Sequence, residues 1–281
     1  MALDSEAPEN TAERTALWRA LHAEADPLPH VIADTVGLKL LAPQDWRARP
    51  DMDPQSTRIF RASIVARARF IDDLVVEQAG RGVEQYVILG AGLDSFAQRR
   101  ADIASCLKIF EVDLPGPQAW KRRRLAEAGY GIPDGLTFVP VNFEAQSWWD
   151  RLIESGFDAR KPAVIASTGV SLYLTLDAIG DMLRKIATLA SGSTFAMTFI
   201  LPLEMSDPEE RVVYEMAMRG AKANGTPFLS MFAPEQMLKL AHEAGLKEPR
   251  VISGSDLAAR YFENRSDDLR PGSESILVAT T

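Results

Sequence analysis

Apolar residues recur at helical spacing through "TAERTALWRALHAE", residues 11–24, which puts Leu17, Trp18 and Leu21 on one face of a predicted helix behind a polar stretch of ten residues. "ADPLPH" ends it with two prolines. "VIADTVGLKLLAP" mixes apolar and polar positions without a clear period, and "RPDMDP" reads as loop. Residues 56–80, "STRIFRASIVARARFIDDLVVEQAG", predict a long helix with Ser56 as N-cap and Gly80 at its end.

From residue 86 the pattern changes. "QYVILG", "LKIFEVD", "LTFVPVNF", "KPAVIAST" and "STFAMTFI" are short apolar runs, with "EPRVISG" and "ESILVATT" as candidate final strands. Between them lie helical patterns: "AQRRADIASC", "LPGPQAWKRRRLAEAG" with Pro117 in its first turn, "SWWDRLIESG", "TLDAIGDMLRKIATLA" with Thr175 as N-cap, "DPEERVVYEMAMRGAKANG" and "APEQMLKLAHEAG". Strands that are apolar throughout are expected to be covered on both faces, so the alternation predicts an α/β, doubly wound, Rossmann-like parallel sheet. The chain divides into a helical cap over residues 1–80 and a sheet domain over 81–281, with late helices at about 203–245 able to wall a substrate site.

Composition narrows the function. The 281 residues carry a formal charge of −8 from 31 basic and 39 acidic residues, which argues against general nucleic-acid binding. A single cysteine, Cys106, excludes an intrachain disulfide, and His22, His30 and His242 are not at metal-ligand spacing, so no metal is expected. The start "MALDSEAPEN" lacks the basic and apolar regions of a secretory signal, and no apolar run reaches the about 18 residues of a membrane span. The expectation is a cytoplasmic enzyme; oligomeric state is not legible.

The chemistry starts at "VILGAGLD". Gly90 and Gly92 follow the first strand, where a backbone without Cβ atoms can approach a ligand. The dinucleotide fingerprint asks for a third small residue, and that position holds Ser95. Asp113 ends the next strand, and a carboxylate there can accept both hydroxyls of a ribose. NAD and S-adenosylmethionine both carry that ribose; a turn without the third glycine favours the second. The tetrad "KRRR" (121–124) is expected to be a solvated face, one of Trp148 and Trp149 to be core, and Met205, Met216, Met218 and Met231 with Phe228 and Phe232 to be ordinary core.

Taken together, "YVILGAGLDSFAQR", "IFEVDLPGPQAWKRRRL" and "STGVSLYLTLDAI" resemble the leucine carboxyl methyltransferase family of S-adenosylmethionine-dependent enzymes, in particular its bacterial small-molecule branch and the polyketide carboxyl O-methyltransferases. The likeness runs from about residue 12 to the C-terminus. It implies a class I methyltransferase fold with an N-terminal helical cap, and S-adenosylmethionine as cofactor. It implies Gly90, Ala91 and Gly92 against the methionine part of that cofactor, Asp113 on its ribose, and Asn142 and Phe143 near its adenine, where the family usually has Asp-Leu. Arg67 matches an arginine that pairs with the cofactor's carboxylate, with Arg69 as its neighbour and rival. Thr168 stands where many relatives have a cofactor-holding Glu, and Tyr173 matches a tyrosine of the substrate pocket.

Methyl transfer from a sulfonium needs alignment and exclusion of water. A hydroxyl acceptor usually wants a general base, whereas a carboxylate is already ionised near pH 7. No histidine falls in the loops at the sheet ends, which favours a carboxylate of a small molecule, such as a secondary metabolite, over a hydroxyl; an Asp or Glu base would serve a phenol, so the hydroxyl stays open and no catalytic base is assigned. Three other readings stand beside this one: a non-catalytic S-adenosylmethionine-binding protein, an NAD-dependent oxidoreductase, and a protein methyltransferase acting on a chain's terminal carboxylate.

Overall fold

The structure is a computed structural model that describes residues 7–143 and 145–281. The polar lead-in of ten residues falls largely outside the described set. Helix α1 (Asn10–Ala25) buries Leu17, Trp18 and Leu21, the face its spacing predicts. A short helix α2 (Val36–Leu41) forms in the stretch without a clear period and packs Val36 and Leu40 against Leu125. Helix α3 (Arg58–Gly80) starts one residue later than an N-cap at Ser56 predicts. Thr57, not Ser56, precedes it, because Asp53 accepts the Ser56 backbone N–H at 2.8 Å and holds that residue in the preceding turn.

The remaining elements follow in order: β1 (Gln85–Leu89), α4 (Phe96–Arg99), α5 (Ala101–Ala104), β2 (Lys108–Asp113), α6 (Pro115–Glu127), β3 (Leu136–Pro140), α7 (Trp148–Glu154), β4 (Val164–Ser167), α8 (Leu176–Ile186), β5 (Thr194–Ile200), α9 (Pro208–Ala223), α10 (Pro234–Glu243), β6 (Lys247–Ile252), α11 (Gly254–Tyr261) and β7 (Glu274–Thr280). Thr175 caps α8 as expected, its Oγ1 accepting the Ala178 N–H. Helix α11 has no counterpart among the elements predicted from the periodicity; its start is fixed by Ser253 and Asp256, each bonding the other's backbone N–H.

Among the described residues one sheet of seven strands runs β3-β2-β1-β4-β5-β7-β6. Pairs β1/β2, β2/β3, β1/β4 and β4/β5 are parallel, but β7 lies antiparallel between β5 and β6. The expectation of an all-parallel sheet is therefore corrected at one strand. The physical reason is that β7 is covered on both faces, with Ile276 and Val278 in one core and Leu277 and Ala279 in the other. A strand buried on both sides has the same apolar run whichever way it points.

Helix α3 covers one face of the sheet, joining Tyr86, Ile88, Ile109 and Val278 in one core. Helices α7, α8 and α10 cover the other, around Val87, Phe110, Ile165 and Phe195. Trp148 and Trp149 are both partly buried against this second core. Two other expectations fail. Within "KRRR", Arg122 and Arg123 are exposed but Lys121 is buried, drawn inward by Glu111 on β2 at 2.6 Å. In the late region Phe232 is buried, whereas Met205 is exposed in the short turn before α9 and Met216 is exposed on α9, which turns only Tyr214 fully into the protein. Among the described residues no helix is long and apolar enough to cross a membrane.

Candidate active site

The C-terminal ends of β1, β2 and β4 close on one turn. Gly90 has φ +72° and Gly92 φ +49°, the left-handed region that glycine enters without penalty. Gly90 is also needed for space: a Cβ there would stand 2.4 Å from Cγ2 of Val170 in the turn after β4. The Gly90 and Ala91 N–H groups both donate to Val112 O on β2, at 2.9 and 3.2 Å. Asp113, the last residue of β2, accepts the Gly92 N–H on one carboxylate oxygen and the Leu114 N–H on the other. Burial pushes its carboxyl up, and those two N–H groups oppose the shift by favouring the anion. Each oxygen keeps acceptor capacity for a further donor.

Helix α1 roofs this turn. A Cβ at Gly92 would come within 3.2 Å of Ala12 Cβ. Burial, and then the charge of Asp113, raise the Glu9 carboxyl just before the helix. One residue before Ala12, Thr11 Oγ1 stands 3.5 Å from the hydroxyl of Tyr173, whose ring meets Phe228 edge to face at 5.8 Å. The first turn of α1 thus bridges the glycine turn and the tyrosine proposed for the acceptor pocket.

Ser95 occupies the fingerprint's third small position for a reason of its own. It is buried, and its hydroxyl donates to Asp34 Oδ2 at 2.6 Å while accepting from Arg99 Nε at 2.9 Å. Arg19 on α1 bonds Asp34 at 2.6 Å and Leu93 O at 2.7 Å, and Arg99 reaches Asp72 on α3 at 2.6 Å. Burial alone would raise the Asp34 carboxyl, but Arg19, Arg99 and Ser95 hold it below its ordinary value. This network ties cap to turn; Arg19, Asp34 and Asp72 carry no sequence signal for it, because nothing local marks partners 15 to 74 residues apart.

The other expected residues are spread along the same edge. Arg67 on α3 lays its guanidinium against Gly169, the second residue after β4: a Cβ at Gly169 would be 2.9 Å from Nη2. Its protein partner is Glu274, at 2.5 Å from Nη1, a residue the sequence analysis did not single out. Arg69 is exposed, bonds Asp73 at 2.8 Å and lies over the ring of Tyr261, contacts that involve none of the other expected site residues. Thr168 is half-buried between β4 and the Gly169 turn, whose N–H donates to Thr198 Oγ1 at 2.8 Å. Ser167 Oγ, beside it, is buried with no protein partner among the described residues. Asn142 is half-buried and Phe143 exposed beyond the end of β3, next to Val141, whose N–H donates to Asp113 O at 2.9 Å. The structure therefore brings Gly90, Ala91, Gly92 and Asp113 together, sets Arg67 across the β4 turn from them, and leaves Asn142 and Phe143 at the outer strand.

The leucine carboxyl methyltransferase profile matches residues 12–187, a stretch that holds the glycine turn, Asp113 and the β4 turn. The chain belongs to the leucine carboxyl methyltransferase family. YktD of Bacillus subtilis, provisionally named an S-adenosyl-L-methionine-dependent methyltransferase, is 30% identical over 206 residues, covering 73% of this chain and 67% of its own. A Mycobacterium bovis protein with the same provisional name is 32% identical over 231 residues, covering 76% and 74%. A DUF574-family protein of Streptomyces avermitilis, with TM-score 0.60, 16% identity and 99% of both chains covered, shares the fold. So does a Thermobifida fusca protein provisionally named a methyltransferase, with TM-score 0.59, 18% identity and 99% and 97% covered. As a family member this chain is an S-adenosylmethionine-dependent methyltransferase, which sets the oxidoreductase reading aside.

Proposed function

We propose that this methyltransferase of the leucine carboxyl methyltransferase family methylates a carboxylate of a small molecule, a secondary metabolite in class, with S-adenosylmethionine as donor. The residues at the sheet edge fit that donor: the turn at Gly90 and Gly92 runs through left-handed backbone with no side chain at either position, and Asp113 lies beside it with acceptor capacity to spare. The donor supplies an electrophilic methyl group on a sulfonium. Everything else falls to the chain's own side chains.

Asp113 accepts the ribose hydroxyls, and its carboxylate, already fixed by two backbone N–H groups, needs no reorganisation to do so. Asn142 and Phe143 take the adenine side. Gly90, Ala91 and Gly92 let the backbone approach the methionine part, with Thr168 beyond them. Arg67 receives the α-carboxylate with the guanidinium edge that Glu274 leaves free. Tyr173 and Phe228 form an apolar wall for the acceptor, and α1 closes the roof and excludes water.

The observation that carries the carboxylate reading is where the imidazoles are. His22 accepts the Val31 N–H on Nε2 and bonds Asp26 through Nδ1, so neither nitrogen is free to act as a base. His30 bonds Asp26 O in the same part of the cap, and His242 is in the last turn of α10. An acceptor that is already ionised needs none of them.

The test is calorimetric titration with S-adenosylmethionine, S-adenosylhomocysteine and NAD, followed by a mass-spectrometric acceptor screen pairing each aromatic or polyketide acid with its phenol or alcohol analogue. Binding of both sulfur ligands with methyl esters as products supports the proposal. Methyl ethers as the only products would move the acceptor to a hydroxyl. Binding without any transfer would support the non-catalytic reading.

A further inference from the structure

Three consecutive residues pin the start of β7, the first and third to α3 of the cap and the second to α9. Gly272 donates its N–H to Ser63 Oγ on α3 at 2.9 Å. Ser273 donates its hydroxyl to Glu210 on α9. Glu274 accepts from Nη1 of Arg67 at 2.5 Å. Ser63 and Arg67 are four residues apart, so the strand start is zipped along one face of α3. Gly272 leaves no room for slack: a Cβ there would lie 2.7 Å from Ile59 and 3.1 Å from the Glu210 carboxyl.

The backbone of Glu274 is set by the sheet, in register with Ile200 at the C-terminal end of β5. Glu274 therefore belongs to the same edge as the glycine turn, although it begins its own strand. Its side chain is 9% exposed and that of Arg67 14%, so the pair is largely shielded from water and its geometry is worth more than a surface contact. The pair is also one-sided. Glu274 takes Nη1, while Nη2 lies against Gly169 and, with Nε, has no protein acceptor among the described residues. A long side chain on a helix, anchored at one corner by a carboxylate on a rigid strand, presents its remaining donors in a fixed direction.

We propose that Glu274 is a positioning residue for cofactor binding: by holding Nη1 it turns the rest of the Arg67 guanidinium toward the Gly169 turn, where it receives the α-carboxylate of S-adenosylmethionine. This rests on the assignment of Arg67 to that carboxylate. Glu274 touches no reacting atom. Its charge-assisted bond spares Arg67 the freedom it would otherwise lose on meeting the ligand.

The test separates the carboxylate-bearing end of the ligand from the nucleoside end. S-adenosylhomocysteine and 5′-methylthioadenosine share the nucleoside, and only the first carries the amino-acid part. Affinities for both are measured by calorimetry for the wild type, Glu274→Leu, Glu274→Gln and Arg67→Met. Glu274→Leu is expected to weaken S-adenosylhomocysteine roughly threefold to tenfold with methylthioadenosine unchanged, the scale of losing orientation at one charge-assisted contact. Glu274→Gln keeps an acceptor for Nη1 and recovers part of that loss. Unchanged or tighter S-adenosylhomocysteine binding in Glu274→Leu overturns the proposal, since Glu274 would then be a bystander or a competitor. Equal weakening of both ligands also overturns it, by making Glu274 a support for the fold alone. Arg67→Met tests the premise separately: if it leaves the ratio of the two affinities at the wild-type value, the assignment of Arg67 is what fails.

Discussion

Val170 fills the space beside Gly90 that any side chain at position 90 would need, its Cγ2 2.4 Å from where that Cβ would be. The turn after β1 and the turn after β4 are thus fitted to each other before any ligand arrives. Gly90→Ala meets two costs, the left-handed φ and the overlap with Val170, together about 2–4 kcal/mol. Urea unfolding should register that loss. Adding Val170→Ala should recover about half by removing the overlap while leaving the backbone strain. A Gly90→Ala protein as stable as wild type would mean that the turn is loose and preforms nothing.

Asp113 should control cofactor affinity in a pH-dependent way. Its ionised carboxylate is the form that accepts ribose hydroxyls, and burial raises its pKa above the ordinary aspartate value. Affinity for S-adenosylhomocysteine should therefore hold at neutral pH and fall as the pH drops through that raised value, earlier than for an ordinary aspartate. Asp113→Ala should weaken binding at neutral pH by about 1.5–3 kcal/mol, the size of a charge-assisted contact. Asp113→Asn should flatten the acid limb of a titration series. If Asp113→Asn binds with the wild-type pH profile, the carboxylate is not the group that titrates.

Lys121 and Glu111 form a pair with 1% exposure on each side chain. Burial raises the Glu111 carboxyl to about 7, with Lys121 pulling the other way. Lys121→Met leaves an uncompensated buried carboxyl and should destabilise the protein by about 3–5 kcal/mol at neutral pH. Since an unpaired Glu111 is tolerated when protonated, the deficit should shrink as the pH is lowered. Adding Glu111→Leu should restore most of the stability, because an apolar pair of similar volume needs no desolvation of charge. A single and a double variant of equal stability would show that the ion pair, rather than its imbalance, is what matters.

These positions differ in how far the sequence revealed them, and the difference is physical. The placement of Gly90 and Gly92 in the turn after β1, with Asp113 beside it at the end of β2, was legible because a turn and the strand beside it have fixed spacing in a parallel sheet. The strands and most helices were legible because burial imposes a period. The direction of β7 was not, since a strand covered on both faces carries no polar side to orient it. Lys121 was misread because a charge in a basic run has no local sign that Glu111 will bury it. Glu274 was invisible for a stronger reason: it acts on Arg67 across 207 residues, and only the folded register with Ile200 brings it to the site.

Acid should unfold the cap first, through Asp26. Its Oδ2 takes His22 Nδ1 at 2.7 Å and Arg61 Nε at 2.8 Å, and its Oδ1 takes Arg61 Nη2 at 2.7 Å. Burial works to raise this carboxyl, but the bonds from His22 and Arg61 outweigh it and hold the pKa at about 2, below the ordinary 3.8. A folded pKa below the unfolded one means that the stabilisation is complete above about pH 4 and is lost as the pH falls toward 2. His22 adds to the slope. Burial lowers its pKa, so the unfolded chain takes up a proton that the folded cap refuses, and stability begins to decline below the ordinary histidine value of 6.5. From Asp26 alone the wild type should lose about 1 kcal/mol between pH 7 and pH 3, with His22 adding to that loss. Asp26→Asn should be less stable at pH 7, because Arg61 is left buried without its counter-charge, yet should lose less on acidification. Parallel curves of stability against pH for wild type and Asp26→Asn would put the acid sensitivity elsewhere in the protein.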